Sequence, residues 1–219
     1  KTIPSTHTTP NAIRINELLS QMVKEGCSYV FMEVSSHALD QNRVSGLSFD
    51  IGVYTNISRD HMDYHPTLND YIGAKKKLFN SLKNNAVAIV NFDDPYGEEM
   101  VRDIIAKPFS YGLKGDFDFK GKIVENNISG LSIEIDGFEM TSRLIGEFNA
   151  YNLLVVFAVA KSLGEEALTV LTIISNLKAP DGRFEYIVSP TNITAVIDYA
   201  HTPDALENVL KTLVSLKSD

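Results

Sequence analysis

Three short apolar runs that alternate with helical patterns constrain the fold of this chain most strongly. Residues 29–34, 51–57 and 86–92 are rich in β-branched and aromatic side chains and are bounded by polar or glycine-containing segments. Helical patterns cover residues 12–24 and 68–82. This order predicts an α/β fold with a mostly parallel sheet flanked by helices. In such folds ligands bind beyond the carboxyl ends of the strands.

The period of the apolar residues changes in the second half of the chain. Residues 112–144 alternate with period two around an Asn-Asn and an Asp-Gly turn signal, which predicts a small antiparallel β subdomain. Residues 149–163 are apolar almost all round and are followed by Gly164, as is typical of a buried helix and its C-terminal stop.

The last 40 or so residues predict a new strand-helix unit. Residues 193–197 form an apolar run that ends at Asp198, and Thr202-Pro203 is a favourable start for a helix. We therefore expect a central domain over residues 1–180 and the beginning of a Rossmann-like C-terminal domain over residues 181–219.

Composition narrows the class of protein. The chain has 219 residues, 44% of them hydrophobic, which is enough to build a core in one or two domains. No apolar run reaches the roughly 18 residues of a membrane span, and no signal-peptide pattern opens the chain. We expect a soluble cytoplasmic protein. The net charge of -8 argues against nucleic-acid binding. The single cysteine, Cys27, excludes an internal disulfide and is expected to pack at the start of a strand.

A dense group of ionisable residues follows the second apolar run. Asp60, His61, Asp63 and His65 place four such side chains within six residues. That density indicates a functional site. A metal-phosphate site, a hydrolytic zinc site and a solvated turn all remain open from the spacing alone. Zinc is disfavoured because the chain has no HExxH motif and no further histidine cluster.

Glu33 and Lys75 extend this candidate site. Glu33 ends the first apolar run, where a carboxylate is costly unless it is paired or bound to a metal; a capping or ion-pair role is the alternative. Lys75 lies on the helix after the histidines, where the ordinary expectation is a surface cation. An ammonium group offers no lone pair to a metal, so a metal role for Lys75 requires conversion to a carbamate.

Seven motifs, in order over residues 6–210, closely resemble the Mur ligase family. Within that family the chain most resembles the members that add the third residue of the peptidoglycan stem peptide. The motifs are TTPN at 8–11, EVSSHALDQNRV at 33–44, TNISRDHMDYH at 55–65, AKKKLF at 74–79, GEFNAYN at 146–152, DGRFE at 181–185 and DYAHTPD at 198–204.

The resemblance implies roles for residues at matching positions. Glu33 and His61 would hold Mg²⁺ near the nucleotide phosphates, and Lys75 would complete this catalytic site as a carbamate. The residues implied to grip the muramoyl-dipeptide substrate are Thr8, Thr9, Ser35, Ser36 and Arg43. The positions implied to contact the nucleotide are Asn149, Asn152, Arg183, Asp198 and His201. Helix capping by Asn149 and turn formation by Asp181-Gly182 are the structural alternatives.

The implied reaction is ATP-dependent amide formation. The side-chain carboxylate of D-glutamate in a UDP-muramoyl dipeptide is phosphorylated, and the amine of a diamino acid, meso-diaminopimelate or L-lysine, then displaces phosphate. Metal and cationic groups offset the charge of the transferred phosphoryl group. A related folate or poly-amino-acid ligase and a non-catalytic binding module are the alternative functions.

The chain departs from the family at one motif. The resemblance implies a glycine-rich phosphate loop upstream of TTPN, yet no G-x-x-x-x-G-K-[ST] sequence or shortened version occurs. We therefore expect a central-domain fragment without the N-terminal domain and most of the C-terminal domain. Such a fragment should lack ligase activity, bind ATP weakly and self-associate through an uncovered sheet edge.

Overall fold

The computed structural model describes residues 3–5, 7–58, 60–191 and 193–216, which form an α/β structure. The helices are α1 (Ala12–Lys24), α2 (Ser36–Asp40), α3 (Leu68–Asn80), α4 (Gly97–Val101), α5 (Glu147–Ser162), α6 (Ala167–Ser175) and α7 (Pro203–Ser215). The strands are β1 (Ile51–Tyr54), β2 (Val87–Asn91), β3 (Lys107–Gly112), β4 (Phe119–Asn127), β5 (Gly130–Ile135), β6 (Phe138–Ser142), β7 (Glu185–Val188) and β8 (Thr194–Ile197).

A mostly parallel sheet organises these elements and confirms the predicted fold class. Its strand order is β1-β2-β3-β4-β5-β6, and a separate antiparallel pair joins β7 and β8. β3 and β4 run parallel, with Tyr111 opposite Phe119. β4, β5 and β6 are antiparallel neighbours, so the predicted antiparallel segment continues the same sheet.

The β5–β6 hairpin forms where the Asp-Gly turn signal predicts it. Ile135 pairs with Phe138, and the two residues between them, Asp136 and Gly137, have φ values of 54° and 78°. Two consecutive positive φ angles match the right-handed twist of the flanking strands, and Asp-Gly adopts them at low cost. The turn therefore sets the register that buries Ile133 and Ile135.

Helix α5 is buried along most of its length, as its composition predicts. Gly146 is its N-cap with φ of 97°, and Gly164 follows its end with φ of 91°. Leu154 and Phe157 are almost fully buried. Hydrophobic burial on nearly every side fixes the helix firmly, so side chains on its first turns are held in place.

The predicted strand over residues 29–34 is wrong. The segment is extended but irregular, and no backbone hydrogen bond among the described residues pairs it with another segment. A strand needs a neighbour to complete its ladder, and β1 is the end strand of the sheet. Tyr29 and Phe31 are consequently 60% and 78% exposed. Cys27 is also exposed, so its predicted packing at a strand start is wrong.

The chain divides into two compact units, each with its own core. The first comprises Lys1–Gly52, His61–Ala88 and Glu98–Pro108, and the second comprises Val53–Asp60, Ile89–Gly97 and Phe109–Asp219. One cluster of the first unit contains Ile15, Leu39 and Val44, and one of the second contains Ile145, Phe184 and Leu216. Across the parts of the chain described above, no helix is both long and apolar enough to cross a membrane.

Candidate functional site

Thr9 anchors the N-terminal segment to the loop that precedes α2. Its side chain is fully buried, and its Oγ1 donates a hydrogen bond to the carbonyl oxygen of Glu33 at 2.9 Å. The same hydroxyl accepts from the backbone N–H of Ser35 at 3.0 Å. Thr8, by contrast, is exposed. Of the two threonines, only Thr8 therefore presents its side chain to solvent.

The serine pair at the start of α2 is engaged within the protein. Ser35 is the N-cap of α2, and its Oγ accepts from the backbone N–H of Ala38 at 3.2 Å. Ser36 is 1% exposed, and its Oγ lies 2.9 Å from Nε2 of His65. The two hydroxyls thus fix the helix start and the histidine loop.

Arg43 has a guanidinium group with a defined orientation. Its Nη1 donates to the carbonyl oxygen of Thr9 at 2.8 Å. Its Nε and Nη2 donate to Oε1 of Gln41 at 2.9 and 2.6 Å. A guanidinium carries five N–H groups, so two remain uncommitted to the described residues, one on each terminal nitrogen. These two can grip an incoming carboxylate.

The backbone at His61 adopts a left-handed conformation. Its φ is 56°, and its carbonyl oxygen accepts from the N–H groups of Tyr64 and His65 at 3.1 and 2.9 Å. Such φ values are uncommon outside glycine, although histidine is among the more tolerant residues. The tight turn therefore turns the chain back over α2 and α3, with His65 against Ser36.

The buried ring of Tyr71 brings His61 and Lys75 together. His65 stacks on this ring at 5.2 Å between centroids, and the His61 ring meets it edge-on at 5.8 Å. Lys75 Nζ lies 5.1 Å from the same centroid. Tyr71 and Lys75 share one face of α3 because they are four residues apart.

His37 packs against the other side of the histidine loop. Its ring lies 4.8 Å from that of His61 and 4.0 Å from that of Tyr64. Burial lowers the pKa of His37, and the neighbouring His61 and His65 lower it further. Burial also lowers the pKa of His65, outweighing the attraction of Asp40 for its charged form. Both rings therefore favour the neutral form at neutral pH.

Glu33 is placed differently from the sequence-based expectation. Its side chain is exposed, because residues 29–34 do not enter the sheet. The expectation that its carboxylate sits at the end of a buried strand, where it would be costly, is therefore wrong. The carbonyl oxygen of Glu33 accepts the hydrogen bond from Thr9. No group of three His, Cys, Asp or Glu side chains in the described ranges is arranged to hold a metal. The structure thus brings His61 and Lys75 together at Tyr71, whereas the backbone of Glu33 contacts Thr9.

Asn149 and Asn152 form a pair at the start of α5, within the second unit. The Asn149 side chain is 8% exposed and donates to the carbonyl oxygen of Ile145 at 2.8 Å. Its Oδ1 accepts from Nδ2 of Asn152 at 3.2 Å. Gly146 is the N-cap, so the alternative role of Asn149 as the helix cap is wrong. Asn152 is exposed beside this fixed partner.

Arg183, Asp198 and His201 lie together around Tyr199. The Arg183 guanidinium carbon is 5.1 Å from the centroid of the Tyr199 ring, and the His201 ring is 4.9 Å from that ring. Asp198 accepts from the backbone N–H of Phe184 at 2.8 Å. No hydrogen bond, ion pair or ring contact in the described ranges joins this group to the asparagine pair.

The turn at Asp181-Gly182 explains how Arg183 is presented. The N–H of Arg183 donates to the carbonyl oxygen of Pro180 at 3.0 Å, and Gly182 has φ of 68°. Glycine adopts such a positive φ without a steric penalty, as this turn requires. The structural alternative for this dipeptide is therefore confirmed. It is compatible with a binding role for the next residue.

Sequence reasoning assigned no role to several residues that organise these sites. Gln41, Tyr64 and His37 lie inside the quoted motifs, but the contacts of Gln41 and His37 with the histidine loop join residues that are more than 20 positions apart. Tyr71 lies outside every motif. The i,i+4 spacing of Tyr71 and Lys75 was the one local signal that could have identified it.

Comparisons with known proteins agree on one family. Residues 1–160 match the Mur ligase middle domain. A curated relative from Cytophaga hutchinsonii is 50% identical over 217 residues, covering 99% of this chain and 45% of the relative. Another from Parabacteroides distasonis is 50% identical over 208 residues, covering 95% and 43%. Both are named UDP-N-acetylmuramoyl-L-alanyl-D-glutamate--2,6-diaminopimelate ligase.

Solved structures support the same grouping. A structure of a ligase with that name has a TM-score of 0.83 and 34% identity, and covers 99% of this chain and 46% of its own. A MurF ligase from Thermotoga maritima, at 21% identity, has a TM-score of 0.66 over 82% of this chain and 42% of its own. The chain spans less than half the length of the curated relatives described above. The match to the middle domain over most of its residues shows that this chain belongs to the Mur ligase family.

Proposed function

We propose that this chain is part of an ATP-dependent ligase that joins 2,6-diaminopimelate to UDP-N-acetylmuramoyl-L-alanyl-D-glutamate. The observation that carries this proposal is the sequence identity of 50%, over nearly the whole chain, to two relatives that are named as this diaminopimelate ligase. The first unit supports it with Arg43, whose guanidinium has two uncommitted N–H groups and is linked through Gln41 and Tyr64 to the histidine loop. The product would be a precursor of peptidoglycan.

The substrate side of the site is expected to recognise carboxylates. Arg43 has two N–H groups left for a bidentate contact, and Thr8 offers an exposed hydroxyl. Thr9 and Ser36 are buried and hydrogen-bonded within the protein, so we assign them to shaping the site. Ser35 is half-buried at the N-cap of α2, and its Oγ lies 3.5 Å from Oγ1 of Thr9.

Glu33, His61 and Lys75 are the proposed holders of Mg²⁺. Magnesium binds proteins through few side chains and completes its shell with phosphates and water, so a set of three side-chain ligands is not required. Bound there, it would offset charge on the nucleotide phosphates. Lys75 fits this role only after carbamylation, because an ammonium group has no lone pair to offer a metal. In the uncarbamylated form its Nζ lies over the Tyr71 ring, 5.1 Å from the centroid. A carbamate carries negative charge and loses that attraction to the ring face.

The second unit is proposed to contact ATP through its two polar groups. Asn149 and Asn152 offer carboxamides on the first turns of α5, and Arg183 and His201 offer positive charge and a ring beside Tyr199. A MurF ligase with the same fold was solved in complex with ADP, which is consistent with a nucleotide site. Asp198 would act by holding the backbone from which Arg183 projects.

The proposed reaction has two steps, phosphorylation of a carboxylate and displacement of the phosphate by an amine. An oxygen of the D-glutamate side-chain carboxylate attacks the γ-phosphorus of ATP, which forms an acyl phosphate and releases ADP. The amine of 2,6-diaminopimelate then attacks the acyl carbon, releases inorganic phosphate and loses a proton as the amide forms. Such transfer depends on alignment of the reactants and on charge stabilisation. Arg43 would serve the first requirement, and the His61–Lys75 region the second.

A substrate panel on the full-length enzyme tests this function. ADP release should depend on UDP-N-acetylmuramoyl-L-alanyl-D-glutamate and on 2,6-diaminopimelate, with L-lysine used far less. Turnover with a folate or an amino-acid polymer would favour the related ligases instead. No ADP release with any amine acceptor would favour a binding module.

The domain division and location are proposed together with this function. We propose that residues 1–180 belong to the middle domain and that residues 181–219 begin the next domain. Limited proteolysis of the full-length enzyme should cut preferentially near residues 179–183, and cell fractionation should recover the enzyme with the cytoplasm.

A further inference from the structure

The orientation of Arg43 depends on Gln41. Oε1 of Gln41 accepts from both Nε and Nη2 of the guanidinium, at 2.9 and 2.6 Å. This contact occupies one edge of the guanidinium, and the Thr9 carbonyl oxygen engages another nitrogen. Gln41 is exposed, and an exposed glutamine samples several rotamers unless its amide is held at both ends.

Tyr64 holds the other end of Gln41. The Gln41 Nε2 donates to the Tyr64 hydroxyl at 3.2 Å, and that hydroxyl donates to Oδ2 of Asp40 at 2.9 Å. Lys77 Nζ then donates to Oδ1 of Asp40 at 2.7 Å. Each donor in this series of hydrogen bonds faces an acceptor. The polarity of the Gln41 amide is therefore fixed, with its oxygen towards Arg43 and its nitrogen towards Tyr64.

The Tyr64 ring supplies a rigid base for this chain of hydrogen bonds. It lies 4.0 Å from the His37 ring and 4.9 Å from the His65 ring, between centroids. Lys77 projects from α3, two residues after Lys75. This series of hydrogen bonds thus connects α3 and the histidine loop to Arg43, just after α2.

Asp40 keeps this series of hydrogen bonds polarised at neutral pH. Hydrogen bonds from Lys77 and Tyr64 lower the pKa of its carboxyl group, so it stays an acceptor. Hydrogen bonds to an ionised partner are stronger than those between neutral groups. A bonded series also polarises its members cooperatively.

We propose that Tyr64 and Asp40 are positioning residues that hold Arg43, through Gln41, in the orientation that receives the carboxylate of the muramoyl-dipeptide substrate. This inference rests on the proposed function. The described hydrogen bonds of Tyr64 and Asp40 run to each other, to Gln41 and to Lys77, so both residues act on the guanidinium through Gln41. Their contribution is to reduce the orientations that Arg43 must lose on binding.

Tyr64→Phe in the full-length enzyme tests the inference directly. The substitution removes only the hydroxyl and keeps the ring between His37 and His65. We expect the KM for UDP-N-acetylmuramoyl-L-alanyl-D-glutamate to rise about 3- to 10-fold, the range of one net hydrogen bond, with kcat and the KM for ATP nearly unchanged. Asp40→Asn should act in the same direction. Lys76→Met, which breaks the neighbouring Lys76–Glu99 ion pair, is the matched control and should leave both KM values unchanged.

A double substitution separates positioning from a general structural role. In an Arg43→Lys background, Tyr64→Phe should have little further effect, because the guanidinium that it positions is absent. Equal effects in both backgrounds would overturn the inference, as would an unchanged KM in Tyr64→Phe alone. Calorimetric binding of the UDP-muramoyl dipeptide provides a readout without turnover. Failure of the unmodified enzyme to bind this substrate would overturn the proposed function as well.

Discussion

The Tyr151 hydroxyl donates a hydrogen bond to Oδ2 of Asp93 at 2.9 Å, which ties α5 to the turn after β2. The same carboxylate oxygen accepts from the backbone N–H groups of Leu113 and Lys114 at 2.6 and 3.1 Å. Tyr151 lies between the two asparagines proposed to contact ATP. Asp93 therefore fixes the part of α5 on which those asparagines stand.

Tyr151→Phe should weaken nucleotide binding without unfolding the protein. One hydrogen bond is lost, so the free energy of unfolding should fall by about 0.5–1.5 kcal/mol. In the full-length enzyme we expect the KM for ATP to rise several-fold while the KM for the muramoyl dipeptide stays constant. Phe148→Leu, on the same helix, is the control for a simple packing effect. An unchanged KM for ATP in Tyr151→Phe would count against this role.

Lys75→Ala should remove at least about nine-tenths of the ligase activity of the full-length enzyme, as expected when a metal-site group is lost. Short carboxylic acids added to the assay should restore part of it by replacing the carbamate. Lys76→Ala, one residue along α3, is the control. Full activity of Lys75→Ala without added acid would exclude Lys75 from the mechanism.

Substitution of Glu33 or His61 should change the magnesium requirement. We expect Glu33→Gln and His61→Asn each to raise the half-saturating Mg²⁺ concentration of the full-length enzyme at least about tenfold. The measurement is a magnesium titration of initial rate at saturating substrates. If both titrations matched that of the unmodified enzyme, the solvated-turn interpretation of the histidine loop would be favoured.

Stability should fall as the pH is lowered through the range where histidines titrate. The folded-state pKa of His65 lies below its ordinary value of about 6.5, so below that pH the unfolded chain binds more protons than the folded one. This contribution is complete above about pH 6.5 and is lost as the pH falls. Thermal unfolding of the chain against pH should show a smaller slope for His65→Gln. The exposed His201→Gln is the control, and equal slopes for the two variants would contradict the assignment.

The 219-residue chain should self-associate through the exposed apolar segment at residues 29–34. Tyr29 and Phe31 present large apolar side chains beside backbone that lacks ladder partners in the described ranges. Light scattering should show species larger than a monomer, and Phe31→Ser should reduce them. ATP should bind this chain weakly in calorimetry, since its sequence contains no phosphate loop. A monodisperse monomer with micromolar ATP affinity would refute both expectations.

Local patterns predicted the elements well where local forces determine them. Helix α1 has the predicted bounds because Asn11 caps its start and its apolar spacing is helical. The run at residues 29–34 has an equally strong pattern but no partner strand, and strand formation depends on a neighbour. The motifs brought His61 and Lys75 to attention. They could not reveal that Tyr71 joins them, or that Tyr64 reaches Gln41 across 23 residues.

The buried Phe184 has φ of 49°, a conformation that bulky side chains rarely adopt. Oδ2 of Asp198 accepts a hydrogen bond from the backbone N–H of Phe184, and Oδ1 accepts one from the backbone N–H of Ala200. Both oxygens of one carboxylate thus brace two stretches of backbone. As a consequence, the amino acids tolerated at positions 184 and 198 are coupled. Glycine at 184 would relax the backbone and loosen the demand on 198, whereas a β-branched residue would tighten it. Covariation between these two positions among related sequences would be the evolutionary trace of this brace.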